Sequence, residues 1–498
     1  MLYISTRGKA EMVSASHAIA CGLAADGGLF VPKELPHLST TELLAMANAN
    51  YSQRAVTILS RFLTDFTEAE LNECVKNAYS KESFSEAIAP LHKVKNNIDV
   101  LELWHGPTSA FKDMALQILP QFLTRAVVKT GEEQKLVILV ATSGDTGKAA
   151  LDGFADVEGT EVVVFYPDQG VSQMQRLQMV TQTGKNVHVV AVKGNFDDAQ
   201  TGVKDLFGDK NLVAKLAEQG VAFSSANSIN WGRLVPQIVY YFSSYVDAVK
   251  ASRIKPGDKI NFSVPTGNFG DILAGYFAKL MGLPVNKFIC ASNTNNVLSD
   301  FINTGIYNKN RPFHKTISPS MDILVSSNLE RLLFEETEHD GEQVGKWMTE
   351  LKEKGQYNVG KDVQTRILAD FFGTWVDEIE TKETIGYVFN NYGYVLDPHS
   401  AVAYRALEKY RLLTSDDRYS IVLSTASPFK FSNVVLGAIA PESKVEEDKP
   451  FEAMHLLSAK SKLEPPALLV ALEKLPVLHR EVIEKDGLKA EVEKILGF

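Results

Sequence analysis

Residues 101 to 114 read LELWHGPTSAFKDM, and the amine of Lys112 is the group in this run best able to do chemistry. A strand-like apolar stretch, Ile98 to Leu103, comes first, then a turn cluster of His105, Gly106, Pro107 and Thr108, then Phe111. A helix-forming series, Met114 to Ile118, begins straight after the lysine. One amine at a strand-to-helix junction, beside an aromatic ring and apart from other Lys or Arg, is suited to form a Schiff base with a carbonyl compound. The competing reading is a surface lysine at a helix start, and local chemistry alone favours it.

Other clusters stand where strand candidates end. The run ATSGDTG, residues 141 to 147, follows KLVILV and precedes a helical stretch, Lys148 to Phe154. Thr142, Ser143, Gly144 and Thr146 there offer hydroxyls and backbone N–H groups at a helix start, which favours a carboxylate or a phosphate. Asp145 would repel such a group unless it turned away, and an N-cap is its plainer role. Gly267, Asn268, Phe269, Gly270 and Asp271 follow the strand INFSV and precede the apolar helix Ile272 to Leu280. Glycines let that backbone close on an anion, with phosphate the expected occupant, although a plain helix-capping turn fits the segment equally well. The segment matches neither GxGxxG nor the GxxxxGK loop of nucleoside triphosphatases.

Ser424 to Lys430 follows YSIVL, and the hydroxyl of Thr425 could hydrogen-bond a heterocyclic nitrogen without forcing it to be protonated. Alone it is a strand-ending turn. In NSINWGR, Arg233 brings a permanent charge with a fork of donors, and Ser228 and Asn230 add neutral hydrogen bonds, the equipment of a second phosphate site. A polar turn entering the helix Leu234 to Phe242 is the alternative. The GLAADGGLFVP segment has no reactive side chain except Asp26 and reads as structural.

These groups need a scaffold that gathers strand ends. From about residue 96 short apolar strands alternate with helices, the pattern of an α/β fold with parallel sheets, and ligands in such folds bind outside the carboxyl ends of strands. The strand candidates are Lys135 to Val140, Glu161 to Tyr166, Val187 to Val192, Lys259 to Val264, Lys287 to Ala291 and Tyr419 to Leu423. Before them, residues 1 to 95 carry amphipathic helices such as Thr40 to Ala49 and Glu68 to Ala78 and form an N-terminal domain. Residues from about 300 to 385 read as a helical, charged elaboration peripheral to the site, and the tail from Glu442 as closing helices.

A chain of 498 residues that is 45% hydrophobic is long enough for two or three domains with a deep pocket. Its formal net charge of -10, spread along the chain, argues against a nucleic-acid partner. Cys21, Cys74 and Cys290 make no CxxC pair and the histidines do not cluster, so no catalytic metal and no disulfide framework are expected. No apolar run approaches the ~20 residues of a membrane span, and the N-terminus lacks a signal-peptide core, so a cytoplasmic protein is expected. The solvated surface is compatible with a monomer.

IACGLAADGGLFVP, LWHGPTSAFKD, ATSGDTG, NSINWGR, PTGNFGD and STASPFKF occur in the order and approximate spacing seen in threonine synthases, and residues 5 to 440 resemble the longer bacterial and fungal members of that family. The resemblance implies a fold similar to the tryptophan synthase β group, fold type II of the pyridoxal phosphate enzymes, with two open twisted sheet domains and a cofactor cleft between them. The expected division is 96–135 with 235–440 as the large cofactor-binding domain, 136–234 as the small domain and 441–498 as a C-terminal helical segment. The cofactor implied is pyridoxal 5'-phosphate, bound as a Schiff base to Lys112, with its phosphate in the Gly267, Asn268, Phe269, Gly270, Asp271 loop and Thr425 facing its ring nitrogen. Thr142, Ser143, Gly144, Asp145 and Thr146 would receive the substrate carboxylate and border the ring hydroxyl, while Ser228, Asn230 and Arg233 would hold the substrate phosphate. The implied reaction is conversion of O-phospho-L-homoserine and water to L-threonine and phosphate. A threonine or serine dehydratase-like lyase of the same fold group, or a non-catalytic homologue binding a phosphorylated metabolite, are the alternatives.

Overall fold

The structure, a computed structural model, describes residues 1–84, 87–131, 134–142, 144–168, 171–443 and 445–497. In chain order its strands are β1 (Tyr3–Ser5), β2 (Phe30–Pro32), β3 (Leu91–Lys95), β4 (Ile98–Glu102), β5 (Lys135–Ala141), β6 (Thr160–Pro167), β7 (Val187–Lys193) and β8 (Val221–Ser224). Then come β9 (Ile260–Pro265), β10 (Val285–Ser292), β11 (Ile306–Asn308), β12 (Gln356–Asn358), β13 (Phe371–Trp375), β14 (Ser420–Ser424) and β15 (Glu481–Glu484).

Two sheets organise the molecule. One has the order β13-β10-β9-β14-β4-β3, parallel except for β3 at its edge. The other has the order β15-β7-β6-β5-β8 and is wholly parallel. Parallel strands buried on both faces read as unbroken apolar runs. β6 and β9 are buried at every position, and each strand candidate of the sequence falls on a strand of one of these sheets.

The N-terminal residues pair β1 antiparallel with β2 and supply the helices Tyr51–Phe62 and Glu68–Ala78. Each of these helices begins with a capping box, Asn50 with Gln53 and Thr67 with Glu70. Such reciprocal bonds satisfy backbone donors that a helix start leaves unpaired. The buried faces of both helices join one core with the long helix Trp231–Lys250, which is buried along almost its whole length.

Two expectations change. The stretch from 300 to 385 is not only helical: β11 and β12 form an antiparallel pair and β13 is an edge of the larger sheet. The C-terminal residues include β15, which adds itself to the edge of the smaller sheet beside β7. Both strands are short and lie at sheet edges, where half of the backbone remains unpaired and the side chains can be polar. No helix among the described residues is long and apolar enough to cross a membrane.

Candidate active site

Segments that follow β4 and β14 of the larger sheet meet the segment that follows β5 of the smaller one, where Lys112 and Lys430 both approach Asp145. The Lys112 loop is fastened to β14: Leu103 N donates to Ser424 O at 2.9 Å, Phe111 N to Thr425 O at 2.8 Å, and Ala110 bridges Ala426. Inside the loop the backbone N–H and hydroxyl of Thr108 donate to the Asp113 carboxylate at 2.8 and 2.6 Å. Gly106 allows that turn, because a Cβ there would come within 2.5 Å of the Asp113 Cβ. Burial pushes Asp113 up to about 7, with the Thr108 bonds pulling the other way.

The Lys112 side chain is 11% exposed and rests over the Phe111 ring at 4.8 Å. Its Nζ donates to Ser320 Oγ at 3.3 Å and lies 3.9 Å from Asp145 Oδ2. Burial lowers its pKa; Asp145 opposes that, while Lys430 and Arg233 add to it. A buried amine so placed loses its proton more readily than one at the surface.

Asp145 is not the N-cap expected of it. That position belongs to Gly144, at φ 143°, and Thr142 Oγ1 accepts from the N–H groups of Gly144 and Gly147 at 3.0 and 2.9 Å. The Asp145 carboxylate turns inward instead, 2.7 Å from Lys430 Nζ, and accepts from Gln175 Nε2 at 2.9 Å and from Ser320 Oγ at 3.2 Å. Burial alone would raise its pKa, but the Lys430 and Lys112 ammonium groups outweigh that and hold the carboxyl well below the usual range. Thr146 follows in the first turn of the same helix; Ser143 lies outside the described residues.

After β9, Phe269 takes a left-handed conformation, φ 66°, as N-cap of the helix Gly270–Leu280, with its ring packed 5.8 Å from Phe371. The N–H groups of Gly267, Asn268, Phe269 and Gly270 meet no acceptor among the described residues. Unpaired donors at a helix start, beside backbone that only glycine admits, form a cradle suited to a phosphate. At Gly267 a Cβ would stand 2.8 Å from Ser320 O. Asp271 turns its carboxylate to Ile272 N at 2.9 Å, and burial pushes it up to about 6.

The cradle is braced by residues the sequence reading had placed at the periphery. Ser326 Oγ donates to Gly267 O at 2.8 Å, Asn328 Nδ2 to Asn268 O at 3.1 Å, and Ser327 Oγ to Asn268 Oδ1 at 3.4 Å. Ser327 Oγ also meets Ser228 Oγ at 3.3 Å, which joins this wall to the 227–233 segment. The expectation that residues 300 to 385 stand apart from the site is therefore corrected. The hydroxyl and amide cluster Ser326, Ser327, Asn328 was the signal available, hidden because no strand candidate ends there.

Arg233 lies in the first turn of the helix Trp231–Lys250 and is 4% exposed. One of its terminal nitrogens bonds Ala226 O, whereas Nε is buried without a partner, and no carboxylate among the described residues pairs with it. Burial draws its pKa down to about 10. Asn230 does not join it: its Oδ1 caps the helix through Gly232 N at 2.8 Å and its Nδ2 donates to Ile19 O at 2.9 Å, so both ends of the amide are engaged in the fold.

Thr425 is buried at the end of β14, where its N–H donates to Ser400 Oγ at 3.3 Å. Ser400 belongs to a further network absent from the sequence reading. His399 Nδ1 is 2.8 Å from Asp397 Oδ1, and His399 Nε2 accepts from Ser320 N at 3.2 Å. In the sequence, Asp397, Pro398, His399 and Ser400 carry only the signature of a capped helix start. The structure brings them to Ser320 and so to Lys112.

With this geometry in view, comparisons with known proteins agree on one group. The family described as "Threonine synthase N terminus" matches residues 2–79, and that described as "Pyridoxal-phosphate dependent enzyme" matches residues 86–360. The chain is 39% identical to the threonine synthase of Pseudomonas aeruginosa, covering 87% of this chain and 90% of that one. It is also 39% identical to Threonine synthase-like 1 of Macaca fascicularis over 97% of this chain, and spans 66% of that relative's length. Among solved structures, the pyridoxal phosphate-bound threonine synthase from Brucella melitensis superposes with a TM-score of 0.87 at 36% identity, covering 99% of this chain and 98% of that one.

Proposed function

The chain belongs to the threonine synthase family of pyridoxal phosphate-dependent enzymes, and we propose that it converts O-phospho-L-homoserine and water to L-threonine and phosphate by γ-elimination and β-hydration. Arg233 is the observation that carries the substrate: a guanidinium buried at 4% exposure, without a carboxylate partner among the described residues, whose charge reaches Lys112. A buried charge left unpaired is costly, and a phosphate ester placed against its free nitrogens removes that cost.

Lys112 and the free N–H groups of Gly267 to Gly270 would hold the cofactor, with the Thr425 hydroxyl toward its ring nitrogen and Asp145 beside its ring. When bound, pyridoxal phosphate supplies an electron sink for negative charge developing at the substrate's Cα and Cβ. Thr142, Gly144 and Thr146 receive the substrate carboxylate at the start of their helix. Ser143 shares that assignment from sequence. Arg233 and Ser228 fix the substrate phosphate, and with both ends held the Cα proton is presented to Lys112.

Lys112 Nζ removes that proton, which requires the neutral amine that its burial favours. Loss of a Cβ proton then accompanies departure of phosphate from Cγ. Water adds its hydroxyl at Cβ, and protons return to Cα and Cγ to complete threonine. Asn230 contributes by capping the helix that carries Arg233.

The test is the absorbance spectrum of the purified chain with and without O-phospho-L-homoserine while phosphate release is followed. Turnover with threonine formation is expected, and Lys112→Ala should abolish both the visible absorbance and turnover. Ketoacid formation from threonine without phosphate release would favour the dehydratase-like alternative; binding with no turnover would favour the non-catalytic one.

A further inference from the structure

Lys430 has no part in the chemistry above, yet it is the side chain nearest to the charge that faces Lys112. It sits in the short turn Pro428–Phe431 after β14, with its side chain 0% exposed. Its ammonium donates to Thr108 O at 3.0 Å and lies 2.7 Å from Asp145 Oδ1. The other oxygen, Oδ2, accepts from Ser320 Oγ at 3.2 Å and is 3.9 Å from Lys112 Nζ. One buried carboxylate therefore stands between two buried ammonium groups, and of the two only Lys430 is within hydrogen-bond distance of it.

A buried amine with a carboxylate to itself holds its proton tightly, whereas a nucleophile or base must part with it. We propose that Lys430 is a positioning residue, which binds Asp145 so that this carboxylate does not claim the Lys112 proton and the Lys112 amine stays available for reaction. The inference rests on the reading of Lys112 as the cofactor lysine. Of the other charged groups facing Lys112, Arg233 from the helix Trp231–Lys250 acts in the same sense as Lys430, and Asp271 from the helix Gly270–Leu280 acts against it. Asp113 is separated from Lys430 by the Thr108 backbone, which bonds both. Ser320, the direct partner of Lys112, brings no charge, and its own N–H is held by His399, which Asp397 orients.

In the full-length chain freed of cofactor, the pH dependence of Lys112 acetylation by acetic anhydride, read by mass spectrometry on the peptide containing it, titrates this amine. Lys430→Met should raise the midpoint by about one pH unit or more, because it removes a neighbouring cation and returns Asp145 to Lys112. Lys430→Arg, which keeps the charge, should titrate as wild type. In the cofactor-loaded protein, the midpoint of the pH-dependent visible absorbance should move upward in Lys430→Met too.

Should Lys430→Met fail to fold with Asp145 stranded, the comparison passes to Asp145→Asn and the double variant Asp145→Asn with Lys430→Met, which strands no charge. The double variant should exceed Asp145→Asn by well under one pH unit, since only the neighbouring cation, and no carboxylate, is then removed from its task. A difference of about a full unit or more in that pair, or a Lys430→Met protein titrating as wild type, would overturn the proposal. Failure of the underlying reading looks different: the visible absorbance of the loaded protein would survive Lys112→Ala.

Discussion

Arg233 carries its charge into the interior with no carboxylate among the described residues to meet it, and the fold tolerates this because the helix Trp231–Lys250 is anchored by its many other buried residues. If the guanidinium awaits a phosphate, Arg233→Met should leave the ligand-free protein as stable as wild type or more so, since it replaces an unpaired buried charge by apolar volume. The same change should lower kcat/KM for O-phospho-L-homoserine about a hundredfold, the ~3 kcal/mol of a charge-assisted contact. Inorganic phosphate should raise the Tm of the cofactor-loaded wild type and not that of the variant; equal shifts would sink the assignment. Asp113 offers a residue-scale test of a different kind. Its carboxyl, raised by burial to about 7 from an ordinary 3.8, binds a proton more tightly folded than unfolded. The stability this contributes is fully present below pH ~4 and is lost as pH rises through about 7, at no more than ~1.4 kcal/mol per pH unit. Asp113→Asn has no such dependence, so its Tm relative to wild type should climb between pH 5 and pH 8; a constant difference would exclude the raised carboxyl.

At the scale of elements, what could be read from sequence follows burial. β5, β6, β7, β9, β10 and β14 are interior strands, and their apolar runs stand out against the helices between them. β3, β8, β13 and β15 are the edges of the two sheets, short and partly polar, and β15 is mostly exposed, so neither alternation nor an apolar run marks them. The site divides in the same way. Lys112, the 141–147 segment, the 267–271 segment and the run ending at Lys430 all follow interior strands and could be singled out, whereas the approach of Ser320 and His399 to Lys112, and of Lys430 to Asp145, is made by tertiary contacts of which local sequence bears no trace. Gly267 joins the two sets. A Cβ there would press on Ser320 O at 2.8 Å and Met321 Cα at 3.3 Å, both backbone atoms that cannot rotate away. Gly267→Ala should thus displace the segment that holds Ser320 against Lys112, costing about 1–3 kcal/mol of stability and weakening cofactor retention. Retention of cofactor at wild-type affinity, measured by dialysis and absorbance, would show that the cradle is looser than its geometry implies.

For the whole molecule, the proposed reaction requires Lys112, fixed to the larger sheet, to stay beside Thr142 and Asp145, fixed to the smaller one, and the C-terminal chain bears on that meeting. Ala453, Met454 and Leu457 of the helix Pro450–Ser461 belong to a core shared with β14, through Val422. The chain then crosses over: Leu478 N and His479 N donate to Val180 O at 2.8 and 3.1 Å, and β15 extends the smaller sheet at β7. Finally the helix Leu488–Leu496 buries Leu488 and Val492 in the core of that sheet, with Leu488 packed so closely on Gly202 that a Cβ there would meet it at 2.6 Å. The tail is therefore a strap between the halves of the site, and its weakening should fall unequally on them. Leu488→Ala should cost about 3 kcal/mol, typical of a leucine removed from a packed core. Hydrogen exchange should quicken in β6, β7 and β15 while β9 and β14 keep their protection. Because Lys112 and the 267–271 cradle stay with the larger sheet, the visible absorbance of bound cofactor should survive while phosphate release falls. Loss of both together would mean that the sheets unfold as one unit and that the strap has no separate role.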